Sequence, residues 1–310
     1  MTEDEEILRM DNKRLVMCTS TGCIEYAPER YHTRNIDIIR VHLHFQGKEY
    51  LEGPDFDADK FYQELEKLEN PKNNLPKTSM PSVGEIRSHF DSAIERGYEE
   101  VFVFTLSAYL GGTYNEICMV AKEYEDRLKI HVINTKINSF GEGFLAIKAA
   151  DMIEEGVPTE TLLKEIDWMM HHQKLLGVDG KLDYLIYNGR LKGGKAFIGK
   201  MMNICPVVHF DENGELLALE SVRTSKKALM RQCELLREYI GDRDPKDYLL
   251  WHLYTGTSLL NTLKEIEGRY GIECNHEDVI MSPVSGCHNG PWLAGYGIVF
   301  LRREDEPLEA

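Results

Sequence analysis

The chain is predicted to be a two-domain α/β protein, with an N-terminal doubly wound parallel sheet over residues 1–170 and a C-terminal α/β domain with a mixed sheet over 171–310. Two patterns carry this prediction. Through the first half, short β-prone runs alternate with amphipathic helices, as parallel βα units do. In the second half, Ile204 to Phe210, the turn Asp211-Glu212-Asn213-Gly214 and Leu216 to Val222 spell a hairpin, which places antiparallel strands in that sheet. A length of 310 residues suffices for two cores. A helix expected over Thr159 to Leu176, with Leu162, Leu163, Ile166, Met169, Met170 and Gln173 along one side, joins them.

Leu15 to Cys18 reads as a strand that ends in the hydroxyl-rich turn Thr19-Ser20-Thr21-Gly22, a turn that caps a helix or faces a ligand. Ile36 to Phe45 reads as one strand, in which Val41, Leu43 and Phe45 alternate with His42 and His44. Those two histidines share a side, yet no Asp, Glu or Cys accompanies them at ligand spacing, so no metal is expected there. Gly47 to Tyr50 turns the chain, and Asp57 caps a helix whose buried stripe is Phe61, Leu65 and Leu68. The Pro- and Asn-rich stretch NPKNNLPKTSMPS is loop, and it holds Thr78 and Ser79 in extended backbone ahead of Pro81. Ser82 and Glu85 fit a capping box for a helix carrying Ile86, Phe90 and Ile94.

Val101 to Thr105 is the central strand. It feeds Leu106-Ser107 and a turn through Gly111-Gly112 into a helix starting near Thr113. The free N–H groups and positive end of that helix, approached over two glycines, suit an anion. In a doubly wound sheet this carboxyl edge is where ligands bind, and Thr135 to Ser139, after the strand Lys129 to Asn134, lies on the same edge. Gly141-Glu142-Gly143-Phe144-Leu145-Ala146 has the letters of a dinucleotide fingerprint, but its first glycine does not directly follow the strand. Helix packing explains these glycines better.

In the second half, Gly189 to Ala196 (GRLKGGKA) comes close to a phosphate-binding loop but has Ala196 where Mg²⁺ needs a hydroxyl. A Gly-rich turn bearing Arg190 and leading into a helix with Phe197 and Met201 describes it better. Beyond the hairpin, a helix over Ser225 to Ile240, a strand over Tyr248 to Tyr254, a helix over Ser258 to Tyr270 and strands over Val279 to Val284 and Gly297 to Leu301 are expected. Gly286-Cys287-His288-Asn289-Gly290-Pro291 sets one imidazole in a glycine-bounded turn, where it either packs or meets a ligand.

The formal charge of −16 argues against nucleic acid or an anionic membrane face as partner, so an acidic ligand must be held by local geometry. Seven cysteines without a CxxC pair read as reduced core residues of a cytoplasmic protein. The acidic start MTEDEEILRMDNKR does not read as a signal peptide, and no apolar run reaches membrane-spanning length. No residue shows the arrangement of a nucleophile with its base, and no cofactor or metal is expected.

The order KTSMPS, LSAYLGGTY, NGRLKGGKAFIGKMMNICPVV and GCHNGP resembles the DegV family of fatty-acid-binding proteins, whose members show TSxPS, LSSxLSGTY, a GGRI turn with a helix and an IKP strand, and a GxHxGPG turn. The resemblance runs from about Leu15 to Leu301. It implies a carrier that buries a long-chain fatty acid in a tunnel, holds the carboxylate at the domain junction and presents it to a separate fatty-acid kinase. Matched residue by residue, it places Thr78, Ser79, Ser107, Gly111, Gly112, His288 and Asn289 at the carboxylate, and Arg190 and Arg223 at the ligand or the partner. The chain departs from the family pattern at Cys18 to Thr21, Glu52, Gly111, Asn188 and Trp292. Two rivals stand beside this reading: an enzyme using a nucleotide or phosphorylated small molecule at the Gly-rich turns, and a regulatory protein with a diverged acyl site.

Overall fold

The computed structural model describes residues 13–53, 56–68, 74–193, 204–303 and 306–308. In chain order the first half contains β1 (Arg14–Thr19), β2 (Ile36–Ile39), β3 (His42–Phe45), β4 (Lys48–Leu51), α1 (Ala58–Glu66), β5 (Lys77–Ser79), α2 (Val83–Glu95), β6 (Glu100–Thr105), α3 (Thr113–Ala121), β7 (Lys129–Asn134), α4 (Phe140–Glu154) and α5 (Thr159–His171). The second half contains β8 (Gln173–Asp179), α6 (Asp183–Tyr187), β9 (Cys205–Phe210), β10 (Leu216–Val222), α7 (Ser225–Ile240), β11 (Tyr248–Tyr254), α8 (Thr257–Glu267), β12 (Val279–Ile280), α9 (Pro283–Gly286) and β13 (Leu293–Phe300).

The expected parallel sheet is present in the order β2-β1-β6-β7, with every neighbouring pair parallel. Ile86, Phe90, Ile117 and Val120 of α2 and α3 pack on one face of it with Leu15, Val101 and Val103. The other face, through Val16, Cys18, Phe102 and Phe104, packs on α4. The sheet is therefore doubly wound. The second sheet, in the order β10-β9-β8-β13-β11-β12, is mixed: only β11 and β12 run parallel.

Helix α4 is the hinge pin of the architecture. Twelve of its residues are buried, so it is enclosed on nearly all sides rather than along one stripe, as a helix between two layers must be. It touches β1 and β6 of the first sheet and β8 and β13 of the second. One core consequently runs from Val16 and Phe102 through Phe140 and Phe144 to Trp251 and Ile298. Gly143 permits this packing, since a Cβ there would sit 2.1 Å from the Gly22 carbonyl oxygen.

Several expected elements are redrawn. Ile36 to Phe45 is two strands, because after Ile39 the chain leaves the parallel sheet. The Arg40 guanidinium is held by the Glu25 carboxylate at 2.7 Å, and the Val41 N–H donates to Ser20 Oγ at 3.0 Å, both outside any strand ladder. The residues from Lys48 form a strand, not a turn: Phe45 pairs with Lys48, and Gln46 and Gly47, at φ 51° and 73°, are the two-residue hairpin turn. Strand β5 completes this small antiparallel sheet, in the order β4-β3-β5. The long helix expected to Leu176 stops at His171, and Gln173–Asp179 becomes the central strand β8, paired with both β9 and β13. Met169, Gln173 and Leu176 prolong a helical period, but sheet pairing on both sides overrides it. The run from Val279 is a two-residue strand followed by a short helix at Pro283, and the last strand starts four residues earlier than expected, at Leu293.

Candidate ligand cavity

A cavity of about 310 Å³ lies where four distant segments meet: β5, the turn from Leu106 into α3, the residues around Arg190, and the loop around His288. Val41, Leu106, Leu110, Leu185, Leu216 and Val284 give it apolar walls. Leu110, Leu185 and Leu216 belong to an apolar cluster that continues to Leu182, Leu191 and Val208, so the walls extend into the body of the protein. Met80, which lines the cavity, and Tyr109, beside it on the turn, are exposed.

Strand β5 pairs antiparallel with β3, placing Thr78 opposite Leu43 and Ser79 opposite His42. Alternation sends the two hydroxyls to opposite faces. Thr78 Oγ1 lies 3.0 Å from His288 Nε2, which ties the first half of the chain to the second across the cavity. Ser79 borders the cavity, but its hydroxyl is 2.8 Å from His44 Nε2 on the exposed side.

Burial, with the nearby Arg190 charge, pushes His288 down to about 3. The imidazole is therefore neutral at physiological pH. A neutral ring still carries one N–H. If Thr78 donates to Nε2, the free donor is Nδ1–H, which has no hydrogen-bond partner among the described residues. In the other tautomer, Nε2–H donates to Thr78 and the Thr78 hydroxyl is free to donate. Each tautomer leaves one donor for a ligand.

The remaining wall is backbone. Gly111, Gly112 and Thr113 line the cavity, and Gly112 caps α3 without a side-chain hydrogen bond to its first turn. The N–H groups of that turn and the positive end of the helix favour an anion here. A Cβ at Gly111 would meet nothing within 4 Å, so this side of the cavity is open space. Arg190 lines the cavity, its guanidinium donating to the Asn188 carbonyl at 2.6 Å, and Asn289 lines it beside His288.

Two expected site residues are placed elsewhere. Ser107 is fully buried outside the lining, where its hydroxyl donates to the Gly214 carbonyl at 2.6 Å and fastens the turn to the β9–β10 hairpin. Arg223 follows the end of β10 and does not line the cavity. The Gly-rich stretch 189–196 is described only as far as Gly193, so Ala196 and the expected helix with Phe197 and Met201 lie outside the described residues.

The hydroxyl-rich turn after β1 is used differently again. Thr21 borders the cavity, yet its hydroxyl donates to Glu142 Oε2 at 2.8 Å, and the Thr19 hydroxyl donates to Oε1. Glu142 is buried in α4, and burial pushes its carboxyl up to about 8 against the opposing effect of those hydroxyls. The turn thus anchors α4 to β1.

Set against known families, residues 14–301 match the model of the DegV family. The chain belongs to the DegV family. A DegV domain-containing protein of Clostridium acetobutylicum is 29% identical over 91% of this chain and 98% of its own. Among solved structures, a fatty acid binding DegV family protein of Streptococcus agalactiae superposes with a TM-score of 0.83 at 26% identity, covering 93% of this chain and 99% of that one. DegV of Bacillus subtilis, described as a fatty acid binding protein, gives 0.76 at 26% over 93% and 99%. A stearic-acid-binding protein of Eubacterium ventriosum gives 0.77 at 25% over 92% and 97%.

In this DegV protein the four motif segments line one cavity. Sequence reasoning did not place Asn138, Ser285 or the apolar wall there. Asn138 had a signal in its position at the carboxyl edge of the parallel sheet. Ser285, whose hydroxyl donates to the Thr21 carbonyl at 3.0 Å, had none.

Proposed function

We propose that this protein is a cytoplasmic carrier that binds one long-chain fatty acid, with the acyl chain against the apolar walls and the carboxylate at Thr78, His288 and the start of α3. The supporting observation is the Thr78–His288 pair: a donor left free in a cavity with apolar walls, next to an uncapped helix start and Arg190. An ionised carboxylate there would cost several kcal/mol without donors. Hydrogen bonds to it contribute about 1.5–3 kcal/mol each, and the tail about 0.8 kcal/mol per buried CH₂. The fatty-acid binding ascribed to the neighbouring structures supports the same reading.

Binding fits the pair better than catalysis does. With His288 pushed down to about 3, its imidazole is a poor base for the Thr78 hydroxyl, and Nδ1 has no orienting partner among the described residues. We take residues 1–170 and 171–310 as two lobes that close on the ligand, since Thr78 and Gly112 come from one and His288 and Leu185 from the other. Presentation of the carboxylate to a separate fatty-acid kinase completes the proposal, with Arg223 as a partner contact; an Arg223→Ala variant phosphorylated at the wild-type rate would remove that contact.

The test of the carrier is a displacement titration with stearic acid and with its methyl ester. The acid is expected to bind more tightly by at least about tenfold, a difference of about 1.4 kcal/mol. Equal affinities would contradict a carboxylate site.

A further inference from the structure

Away from the cavity, His252 of β11, Glu267 at the end of α8 and Cys274 in the following loop bring one ligand atom each within 4.8 Å of one another. We propose that these three side chains form a binding site for a divalent transition-metal ion of the zinc type.

The imidazole makes the case. His252 Nδ1 faces Asp278 Oδ1 at 2.8 Å and Nε2 faces Glu267 Oε2 at 2.7 Å, so each ring nitrogen points at a carboxylate. A neutral imidazole has one N–H, which leaves one of these contacts as lone pair against lone pair. Where Nδ1 donates to Asp278, a proton or a metal ion must lie between Nε2 and Glu267. Cys274 Sγ lies 3.5 Å from the same Nε2, within hydrogen-bond reach, so nitrogen, carboxylate and sulfur converge on one point as the ligands of a metal ion do.

With Zn–N and Zn–S distances of about 2.0 and 2.3 Å, a tetrahedral site separates nitrogen from sulfur by about 3.5 Å. That is the separation here. Nitrogen and oxygen would need about 3.3 Å, which the Glu267 side chain, on the last turn of its helix, reaches by rotating away. One nitrogen, one thiolate and one carboxylate suit zinc better than Mg²⁺ or Ca²⁺, and three protein ligands leave a fourth position for water.

The surrounding groups are those a metal site uses to orient its ligands. Asp278 accepts from Nδ1, which fixes the tautomer that turns the Nε2 lone pair inward, and Lys264 holds Asp278 in turn. Tyr296 donates to Glu267 Oε2 at 2.8 Å. Ion binding would release the thiol proton, together with any proton on Nε2, to solvent.

The test is a Co²⁺ titration of the full-length protein after treatment with a chelator, followed by competition with Zn²⁺. A thiolate-to-cobalt charge-transfer band in the near ultraviolet is expected, saturating at about one equivalent and abolished by Zn²⁺. Cys274→Ser, which nearly conserves volume, is expected to remove the band. Asp278→Asn is expected to keep the band and weaken Zn²⁺ binding by about 10–100-fold. Absence of the band in the wild-type protein, or its survival in Cys274→Ser, would overturn the site. Should Cys274→Ser fail to fold, the wild-type spectrum still decides.

Discussion

Glu142, buried, and His288, half-buried, are both titratable groups facing threonine hydroxyls, and the protein completes one and leaves the other open. Around Glu142, both carboxyl oxygens pair with threonine hydroxyls and Cys18 Sγ lies 3.6 Å from one of them. The helix backbone is clamped there too, with no room for a Cβ at Gly143. Around His288, one nitrogen has Thr78 and the other has no partner among the described residues, and the facing wall at Gly111 is open. A closed polar cluster fixes the position of α4 between two sheets. An open one has capacity left for a ligand.

The sharpest contrast is in the glycines. Gly143→Ala forces a Cβ against the Gly22 backbone and is expected to destabilise by about 3 kcal/mol in urea unfolding. Gly111→Ala enters open space and is expected to stay within about 0.5 kcal/mol of wild type. Equal effects would erase the distinction between closed and open regions.

Next come the cavity groups. Thr78→Val and His288→Ala are each expected to weaken stearic acid binding by about 10–100-fold, equivalent to about 1.4–2.7 kcal/mol, while circular dichroism shows the fold intact. Unchanged affinity in both variants would show that the open pair does not meet the ligand.

The smallest effect is in pH. Burial raises Glu142 from an ordinary carboxyl value of 4.5 to about 8. The folded state therefore keeps a proton that the unfolded chain has already released, so this contribution to stability is full below 4.5 and is lost as pH rises to about 8. Glu142→Gln keeps a carbonyl acceptor for the threonines and has no proton to lose. Melting temperatures are expected to shift in favour of the variant as pH is raised from about 5 to 8. Parallel curves for the two proteins would remove the buried carboxyl from the account.

Local signals carried far. The capping box of Ser82 and Glu85, the Asp57 cap and the bounds of β11 were all legible, because each depends on residues a few positions apart. Thr78, Gly111, Gly112, Arg190, His288 and Asn289 were readable as one set through their motifs, and all border the cavity. What stayed hidden was the choice of partner. Nothing local tells Thr21 that its hydroxyl belongs to Glu142, 121 residues away, or Ser107 that it will hold the Gly214 carbonyl, 107 residues away. The same limit concealed β8, whose strand character comes from β9 and β13 on either side.

The central claim is tested most directly by native mass spectrometry of the protein as purified, beside a Thr78→Val, His288→Ala double variant. A bound species with the mass of one fatty acid of roughly fourteen to twenty carbons, a length whose buried CH₂ groups hold it through purification, is expected on the wild-type protein and depleted in the variant. A wild-type protein that carries no such mass and takes up none from added stearic acid would contradict the account.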